Sequence, residues 1–593
     1  MLEWANQTYM ETPGQSLRQA EDENPAHCGY LLTVMELKRT MSNIRRVGLS
    51  RRLAVALLLL ATTSGALAHD ADANTHEFTA PARDGGARWL SLSVVDDESG
   101  RQLAAGFQLE IDGSRFTPEA IGPRGLRLVV RHHKKDQRAV GMYVRGTGTA
   151  VVPLPDGATG GAILVSHGYE YLAARTPFVV EGQQTRLTIR LRRWIDLQAR
   201  GWYGADAHLH FDRLDPEYDS DWLDILDADG LDHGHFLTLK GGNLPGMWAQ
   251  QYAHGPEGEA VAEAGGWIRP GTEHRDRMQG HVTLLGPAEL IEPVSTGGLG
   301  EPPVEENFPT LHDVMIQARS LGGLSGIAHG NVLGRRPTGL LDAVLGAADF
   351  IEIANTHRLE LEAWYLLLNC GIVLPPAAGT DLPNNPYRDA WQPLLGETRM
   401  YVRSSEPPSF DLWKEAVRSG AVVVSSGPWL ELEVSGTGPG GTVRLPKGGG
   451  EVRVTGLVQS PRAPHALEIV HDGRVIETRT ERRRERGIYQ WRTSSLLRVE
   501  RSGWVAARAS GVEKQELRES TGIRQREAAH TAAVRVLVGD EPIHSEDSVR
   551  RVVARLQKLR KAYQRQGTYA RPEDRNRALR LFDRAIEGLQ TEM

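Results

Sequence analysis

The segment that decides the fold reads Gly201-Trp-Tyr-Gly-Ala-Asp206-Ala-His208-Leu-His210. It predicts a buried strand that ends in two histidines two positions apart. Because side chains i and i+2 of a strand point to the same face, His208 and His210 can direct both imidazoles at one point. Such a pair suits a metal ion, although an H-x-H pair alone is equally compatible with two surface histidines.

Further side chains able to bind a metal follow this segment at intervals. Ten of the 20 histidines lie between residues 201 and 403, about a third of the chain. Clustering alone proves little, but the ordered series at the ends of strand-like runs favours one shared site. The series continues with Glu273 in Pro270-Gly-Thr-Glu, His281 after Gly280, His329 after Ala328, and Asp381 in Ala378-Gly-Thr-Asp.

Residues 201–428 alternate between helix and strand patterns. Thr310 can cap a helix that runs from Leu311 to about Leu321, and a strand from Leu324 to Ala328 then leads into His329. Alternation of this kind predicts parallel strands closed into a barrel, whose chemistry lies at the carboxyl ends of the strands. The same alternation predicts helices at 340–347, 359–369 and 410–419, and strands at 349–354, 372–374 and 421–424.

The flanking regions have different patterns. At 593 residues the chain is too long for one core, so several domains are expected. Short alternating runs separated by turns predict an N-terminal β-sandwich-like domain at 86–196 and a C-terminal β-rich domain at 429–540. Two amphipathic patterns predict a helical hairpin at 545–592, with Pro572 opening its second helix.

The N-terminal region, residues 1–68, is interpreted as an upstream segment followed by a signal peptide. Four arginines between positions 45 and 52 precede an apolar stretch, and Ala66-Leu67-Ala68 fits an A-x-A cleavage site. We therefore expect export to the periplasm or the extracellular space, with no stable membrane insertion after cleavage. A formal net charge of −6 argues against a nucleic-acid partner, which would need a basic face.

As an ordered set, these motifs resemble the PHP superfamily (polymerase and histidinol phosphatase). More closely, they are similar to its CehA/McbA family of carbaryl-hydrolase-like metallohydrolases. The resemblance covers roughly residues 86–435. The stretches that carry it are Leu191-Arg-Arg-Trp194 with Gly201-Trp-Tyr203, the D-x-H-x-H strand, Glu273 with Gly280-His281-Val-Thr-Leu-Leu-Gly286, Ile351-Glu-Ile-Ala-Asn355, Ala378-Gly-Thr-Asp381, Leu395-Gly396 through Tyr401-Val402, and Ser425-Ser-Gly-Pro428.

The resemblance implies a distorted (β/α)7 barrel that holds two or three divalent ions. It implies that His208 and His210 bind one ion and that Glu273 bridges two. His329 and Asp381 would complete the set. His281 would be a ligand or would support one, and Asp206 would orient a ligand histidine.

Two family ligands have no counterpart in this chain. The second strand of the family usually ends in T-D-H, but here Lys240 is the nearest polar residue, and His233 and His235 are either substitutes or packed mid-strand residues. The family's S-D-x-H reads Thr380-Asp381-Leu-Pro383. We therefore expect one or two divalent ions, with zinc or manganese favoured by the imidazole and carboxylate ligands and iron as a further candidate.

The expected function is that of an exported metal-dependent hydrolase with a small-molecule substrate. A metal-activated hydroxide would attack an ester, amide or carbamate carbonyl. Glu273 or Asp232 would handle protons, and Arg388 would contact an anionic substrate or form a surface salt bridge. Two alternatives stay open: a phosphoesterase on the same barrel, and a degenerate, non-catalytic domain that acts as a ligand-binding module.

Overall fold

A computed structural model describes most of the chain between Arg88 and Thr591. The described ranges are 88–132, 137–241, 248–299, 304–330, 337–355, 358–383, 395–480, 483–513 and 526–591. The predicted signal peptide at 45–68 and the candidate substrate contact Arg388 lie outside the described residues.

The N-terminal region is formed by two sheets that enclose one apolar core. One sheet has the order β6-β1-β9, and the other has the order β4-β5-β2-β7-β8 with β3 paired to β2. Leu90 and Leu92 of the first sheet share a core with Phe107 and Leu109 of the second. The strands are β1 Trp89–Asp96, β2 Ala105–Ile111, β3 Ser114–Phe116, β4 Gly125–His132, β5 Gln137–Val144, β6 Ala150–Pro153, β7 Gly160–Ser166, β8 Ala174–Val179 and β9 Gln184–Leu191.

The central region, which follows, alternates between strands and helices. Its strands are β10 Trp202–Leu209, β11 His233–Lys240, β12 Trp248–Ala249, β13 Ala260–Val261, β14 Trp267–Asp276, β15 Gly280–Leu285, β16 Ser295–Thr296, β17 Leu324–Ile327, β18 Phe350–Asn355, β19 Arg358–Leu359, β20 Pro376–Gly379, β21 Arg399–Arg403 and β22 Val422–Ser425. Its α-helices are α1 Asp219–Ala228, α2 Leu311–Ser320, α3 Gly339–Val344, α4 Glu362–Asn369 and α5 Phe410–Ser419. Short 3-10 turns lie at Gln198–Arg200, Pro216–Tyr218 and Gly255–Gly258.

Strand pairing in the central region closes on itself. The order is β10-β11-β14-β15-β17-β18-β20, and a parallel bridge joins Leu209 of β10 to Leu382, which lies three residues beyond β20. The His210 amide donates to the Leu382 carbonyl at 2.6 Å, and the Asp381 amide donates to the His208 carbonyl at 2.7 Å. These strands, called the central ring below, therefore bring the residues that follow β10 and β20 side by side.

One strand of the central ring differs from the expected all-parallel arrangement. β15 pairs antiparallel with both β14 and β17, whereas the other pairings between neighbouring ring strands are parallel. The reversal places the start of β15 at the edge where the other strands end. His281, the second residue of β15, reaches that edge for this reason.

The C-terminal region has two sheets around a second apolar core. One sheet has the order β23-β25-β29-β28, and the other continues from β22 through β31. The strands are β23 Trp429–Val434, β24 Thr442–Leu445, β25 Gly450–Ser460, β26 Pro464–His471, β27 Arg474–Arg479, β28 Arg483–Glu485, β29 Ile488–Val499, β30 Gly503–Glu513, β31 Arg526–Thr531 and β32 Val534–Val538.

Two long helices, α6 Glu546–Gln566 and α7 Pro572–Thr591, end the described chain. The predicted apolar faces are buried, for example at Val552 and Leu556 of α6 and Phe582 of α7, and they join the core of the central region. The helical hairpin is therefore packed on the body of the protein. None of the helices among the described residues is long and apolar enough to cross a membrane.

Candidate metal centre

Six of the predicted side chains meet at one edge of the central ring. β10, β17 and β20 deliver their residues at or just after their carboxyl ends, β14 near its carboxyl end, and the antiparallel β15 at its start. The side chains at this edge are His208, His210, Glu273, His281, His329 and Asp381.

His208 and His210 face each other through their Nε2 nitrogens. His208 Nδ1 lies 2.8 Å from Glu352 Oε1, and His210 Nδ1 lies 3.1 Å from the Leu237 carbonyl oxygen. Because both partners are acceptors, each Nδ1 carries the proton, and in a neutral imidazole Nε2 is then a lone pair. The two Nε2 atoms lie only 3.0 Å apart, and both histidines are 0% exposed. Two nitrogens this close need a positive charge at or beside them, which either a proton or a bound cation would supply.

Asp381 adds a carboxylate to the same point. Its Oδ1 lies 3.2 Å from His210 Nε2 and 3.6 Å from His208 Nε2. These three residues form a group whose ligand atoms all lie within 4.8 Å of one another. Two imidazole nitrogens and one carboxylate oxygen are a common ligand set for a divalent transition metal.

Glu273 links this group to a second one on the other side. Its Oε1 lies 2.9 Å from His281 Nδ1 and 3.0 Å from His329 Nε2, while its Oε2 lies 3.4 Å from His210 Nε2. Glu273 is buried, whereas the side chains of His281 and His329 are 30% and 31% exposed. The glutamate therefore separates a buried half of the site from a solvent-accessible half, as expected for a bridging ligand.

The charges at this edge favour a bound cation. Burial lowers the pKa of His210, but Asp381 and Glu273 outweigh burial and raise it to about 9. Burial also lowers the pKa of His329, but Glu273 and Asp381 outweigh burial and raise it to about 9. Burial would raise the pKa of Asp381, yet His208 and His210 hold it well below its usual range. The carboxylates of the site therefore stabilise a positive charge, which a divalent ion can supply in place of protons.

His329 and Asp381 adopt backbone conformations that side-chain-bearing residues rarely take. Their φ angles are 63° and 55°, in the left-handed region. A conformation of this kind costs on the order of 1–3 kcal/mol and persists only where the surrounding structure holds it in place. Each residue lies two positions after the end of a strand of the central ring, so the turn directs its side chain back over the edge of the ring.

Asp206 supports the site through the backbone rather than through an imidazole. Its carboxylate accepts hydrogen bonds from the amides of His208, Thr380 and Gly396 and from the Thr380 hydroxyl. Burial raises the pKa of Asp206 to about 6, although these donors oppose the shift. The expected contact with a ligand ring is instead made by a different residue, Glu352.

Glu352 was missed by the sequence analysis as a site residue. It lies on β18 and is 0% exposed, and it forms a further group with His208 and His329 whose ligand atoms lie within 4.8 Å of one another. The available signal was a charged residue within the otherwise apolar run Phe350-Ile-Glu-Ile-Ala, because glutamate is almost never fully buried without a partner.

His233 and His235 do not join the metal-ligating groups. His233 stacks on Trp267 at 4.3 Å between ring centroids, and His235 lies 4.8 Å from Trp413. Within the described part of the chain, none of their ring nitrogens has a hydrogen-bond partner. Burial lowers the pKa of His233 to about 3 and that of His235 well below its usual range. These histidines pack among aromatic rings and do not replace the absent T-D-H histidine.

Comparisons with known proteins do not identify a family for this chain. No family model matches the chain, and no curated protein matches it. Among solved structures it is similar to a two-domain protein from Bacteroides vulgatus that contains a predicted PHP-like metal-dependent phosphoesterase. The two share 13% sequence identity, the match covers 52% of this chain and 90% of that chain, and the TM-score is 0.27. The metal centre is therefore interpreted from its own geometry.

Proposed function

We propose that this chain is a metal-dependent hydrolase that cleaves an ester, amide or carbamate bond of a small-molecule substrate. The observation that carries the proposal is the convergence of the Nε2 atoms of His208 and His210, 3.0 Å apart, on the carboxylates of Asp381 and Glu273. When bound, a divalent ion supplies a nucleophilic water at neutral pH and a positive charge beside a developing oxyanion.

The residues at this edge of the central ring would provide the metal ligands. His208, His210 and Asp381 would hold one ion, and Glu273, His281 and His329 would hold a second. The pKa of Glu273 favours this ligand role: burial would raise it, but His281 and His210 hold it well below its usual range. A carboxylate with so low a pKa is a weak proton acceptor.

The test is metal analysis combined with turnover of the purified mature protein. We expect one or two tightly held divalent ions, hydrolysis of an aryl ester, loss of turnover after chelation, and recovery with zinc or manganese. A protein that holds metal but hydrolyses neither aryl esters nor aryl phosphates would support a ligand-binding module. A protein that binds no metal would contradict the proposal.

Arg275 favours a second candidate function, phosphoester hydrolysis. It lies two residues after Glu273 on β14 and is 7% exposed. Its Nε has no hydrogen-bond acceptor among the described residues, and the closest carboxylate contact is Glu273 Oε2 at 4.0 Å. A buried guanidinium beside a metal centre can bind the non-bridging oxygens of a phosphate through charge-assisted hydrogen bonds.

Replacing Arg275 by glutamine distinguishes the two bond types. If the substrate is a phosphoester, KM for an aryl phosphate should rise by about 10- to 100-fold, the value of one hydrogen bond to a charged group. Hydrolysis of a neutral aryl ester should change by less than about threefold. Arg277→Gln is the matched control, because Arg277 is exposed and contacts only the Gly298 carbonyl in the described structure. Equal effects of both variants on aryl phosphate would exclude an anion-binding role for Arg275.

The proposal also covers the fold family and the location of the protein. The quoted motifs and the metal-ligating edge support a PHP-type distorted (β/α)7 barrel at 201–428, of the CehA/McbA type, between two β-sandwich-like domains. The arginine-rich and apolar pattern at 45–68 supports export. N-terminal sequencing of the exported protein should give a start close to His69.

A further inference from the structure

Glu352 is a charged group in an environment that should exclude it. It stands in the middle of β18, where all six residues are buried, and it is itself 0% exposed. An ionised carboxylate at such a position is strongly destabilising unless donors satisfy its oxygens. The contacts of Glu352 therefore indicate what keeps it there.

Both oxygens of Glu352 accept from residues of the metal centre. Oε1 lies 2.8 Å from His208 Nδ1, and Oε2 accepts from the backbone amide of His329 at 3.0 Å. Asn355 Nδ2 also donates to Oε2, at 3.3 Å. One carboxylate thus contacts two candidate ligands that come from different strands of the central ring.

Each contact fixes a feature that metal binding needs. The contact with His208 makes Nδ1 the donor to Glu352 and directs Nε2 toward His210 and Asp381. The contact with His329 holds the amide of a residue whose φ is 63°, so it stabilises the left-handed turn that directs this side chain to Glu273. Glu352 therefore supports both the orientation of the His208 ring and the turn at His329.

We propose that Glu352 is the positioning residue of the metal centre and not one of its ligands. Its Oε1 accepts from Nδ1 of His208, on the other side of the ring from the Nε2 that would bind the ion, and its Oε2 accepts from the amide of His329. This inference rests on the proposed metal-dependent function.

The isosteric substitution Glu352→Gln tests this assignment sharply. A carboxylate offers two acceptor oxygens, whereas an amide offers one acceptor and one donor group. Glutamine can therefore satisfy His208 or His329 but must place an N–H group against the other donor. The effect should be a loss of metal affinity of about 10- to 100-fold with the number of bound ions unchanged, as for other groups that orient a ligand histidine.

The measurement is competition for zinc with a chromophoric chelator, on the full mature protein, with metal content determined in parallel. Asp349→Asn is the matched control. Asp349 immediately precedes the same strand, is buried, and accepts from the Ser325 amide at 2.9 Å, but it lies at the opposite end of β18 from the metal centre. We expect this control to change the zinc dissociation constant by less than about threefold.

Each outcome supports or overturns the assignment. Unchanged zinc affinity in Glu352→Gln would overturn it, and so would the loss of one ion with the other held as tightly as before, because that result would make Glu352 a ligand. If Glu352→Gln does not fold, Glu352→Asp replaces it: the shorter carboxylate keeps both acceptors and should retain more affinity than any amide variant. A wild-type protein that binds metal without hydrolysis would refute the proposed function alone, whereas a wild-type protein without metal would refute both.

Discussion

Replacing Glu273 by glutamine is expected to lower turnover by at least about 10³-fold and to remove at least one bound ion. Glu273 has the most contacts with candidate ligands: His281 and His329 lie within 3.0 Å, and His210 lies at 3.4 Å. Glutamine preserves the shape but removes the charge that would join the two halves of the site. The expected loss exceeds the 10- to 100-fold typical of a group that only orients a ligand.

The measurement is kcat at saturating zinc or manganese, together with metal content and a thermal unfolding curve. Glu257→Gln is the control, because Glu257 is exposed in a turn of the same region. The control should keep wild-type kcat and metal content. If Glu273→Gln keeps kcat within about tenfold of wild type while folded, Glu273 does not bridge the metal centre and the assignment of the site is wrong.

Helix boundaries were predictable where the signals are local. Thr310 accepts from the Asp313 amide, and the helix that follows runs from Leu311 to Ser320, as predicted. Gly420, with φ 75°, ends the helix Phe410–Ser419 at the predicted residue. The helix predicted at 340–347 is shorter, Gly339–Val344, because Gly346, with φ 69°, lies inside the predicted stretch and ends the helix before its last residues. Caps and glycine stops act over a few residues, so a sequence reveals them directly.

The convergence of the candidate metal ligands was predictable for a different reason. His208, His329 and Asp381 stand at strand ends, and a closed set of strands brings such ends together whatever the exact pairing. The direction of β15 was not predictable, because it depends on pairing with β14 and β17 and not on its own residues. The role of Glu352 was missed for the same reason: its partners lie 144 and 23 positions away in the chain.

Replacing Asp342 by asparagine is expected to stabilise the protein at pH 8 and to have a much smaller effect at pH 5. Asp342 lies in α3 and is 0% exposed. Its Oδ2 accepts from the Thr338 hydroxyl at 2.9 Å, but its Oδ1 has no hydrogen-bond donor among the described residues. Burial therefore raises its pKa from 3.8 to about 7. The folded protein thus holds a proton on Asp342 at pH values where the unfolded chain has already lost it.

The direction of the pH effect follows from this difference. Stability falls as pH rises wherever the folded state binds more protons than the unfolded state. For Asp342 this window extends from about pH 4 to about pH 7, and the loss is complete above it. Each unit of pKa shift corresponds to about 1.36 kcal/mol, and about two units of the shift of Asp342 lie between pH 5 and pH 7. Between pH 5 and pH 8 the free energy of unfolding of the wild-type protein should therefore fall by about 3 kcal/mol through this one group. Asparagine does not titrate, so the variant avoids this loss.

The substitution should cost little by itself, because asparagine can meet both neighbours of the carboxyl group. Its oxygen can accept from the Thr338 hydroxyl, and its amide can face His312 Nδ1, which has no partner within the described structure and lies 3.9 Å from Asp342 Oδ1. Urea unfolding of both proteins at pH 5 and pH 8 measures the difference in free energy of unfolding. The gap in favour of the variant should widen by about 3 kcal/mol from pH 5 to pH 8. A gap of the same size at both pH values would mean that Asp342 does not titrate between them, and the raised pKa that burial implies would be wrong.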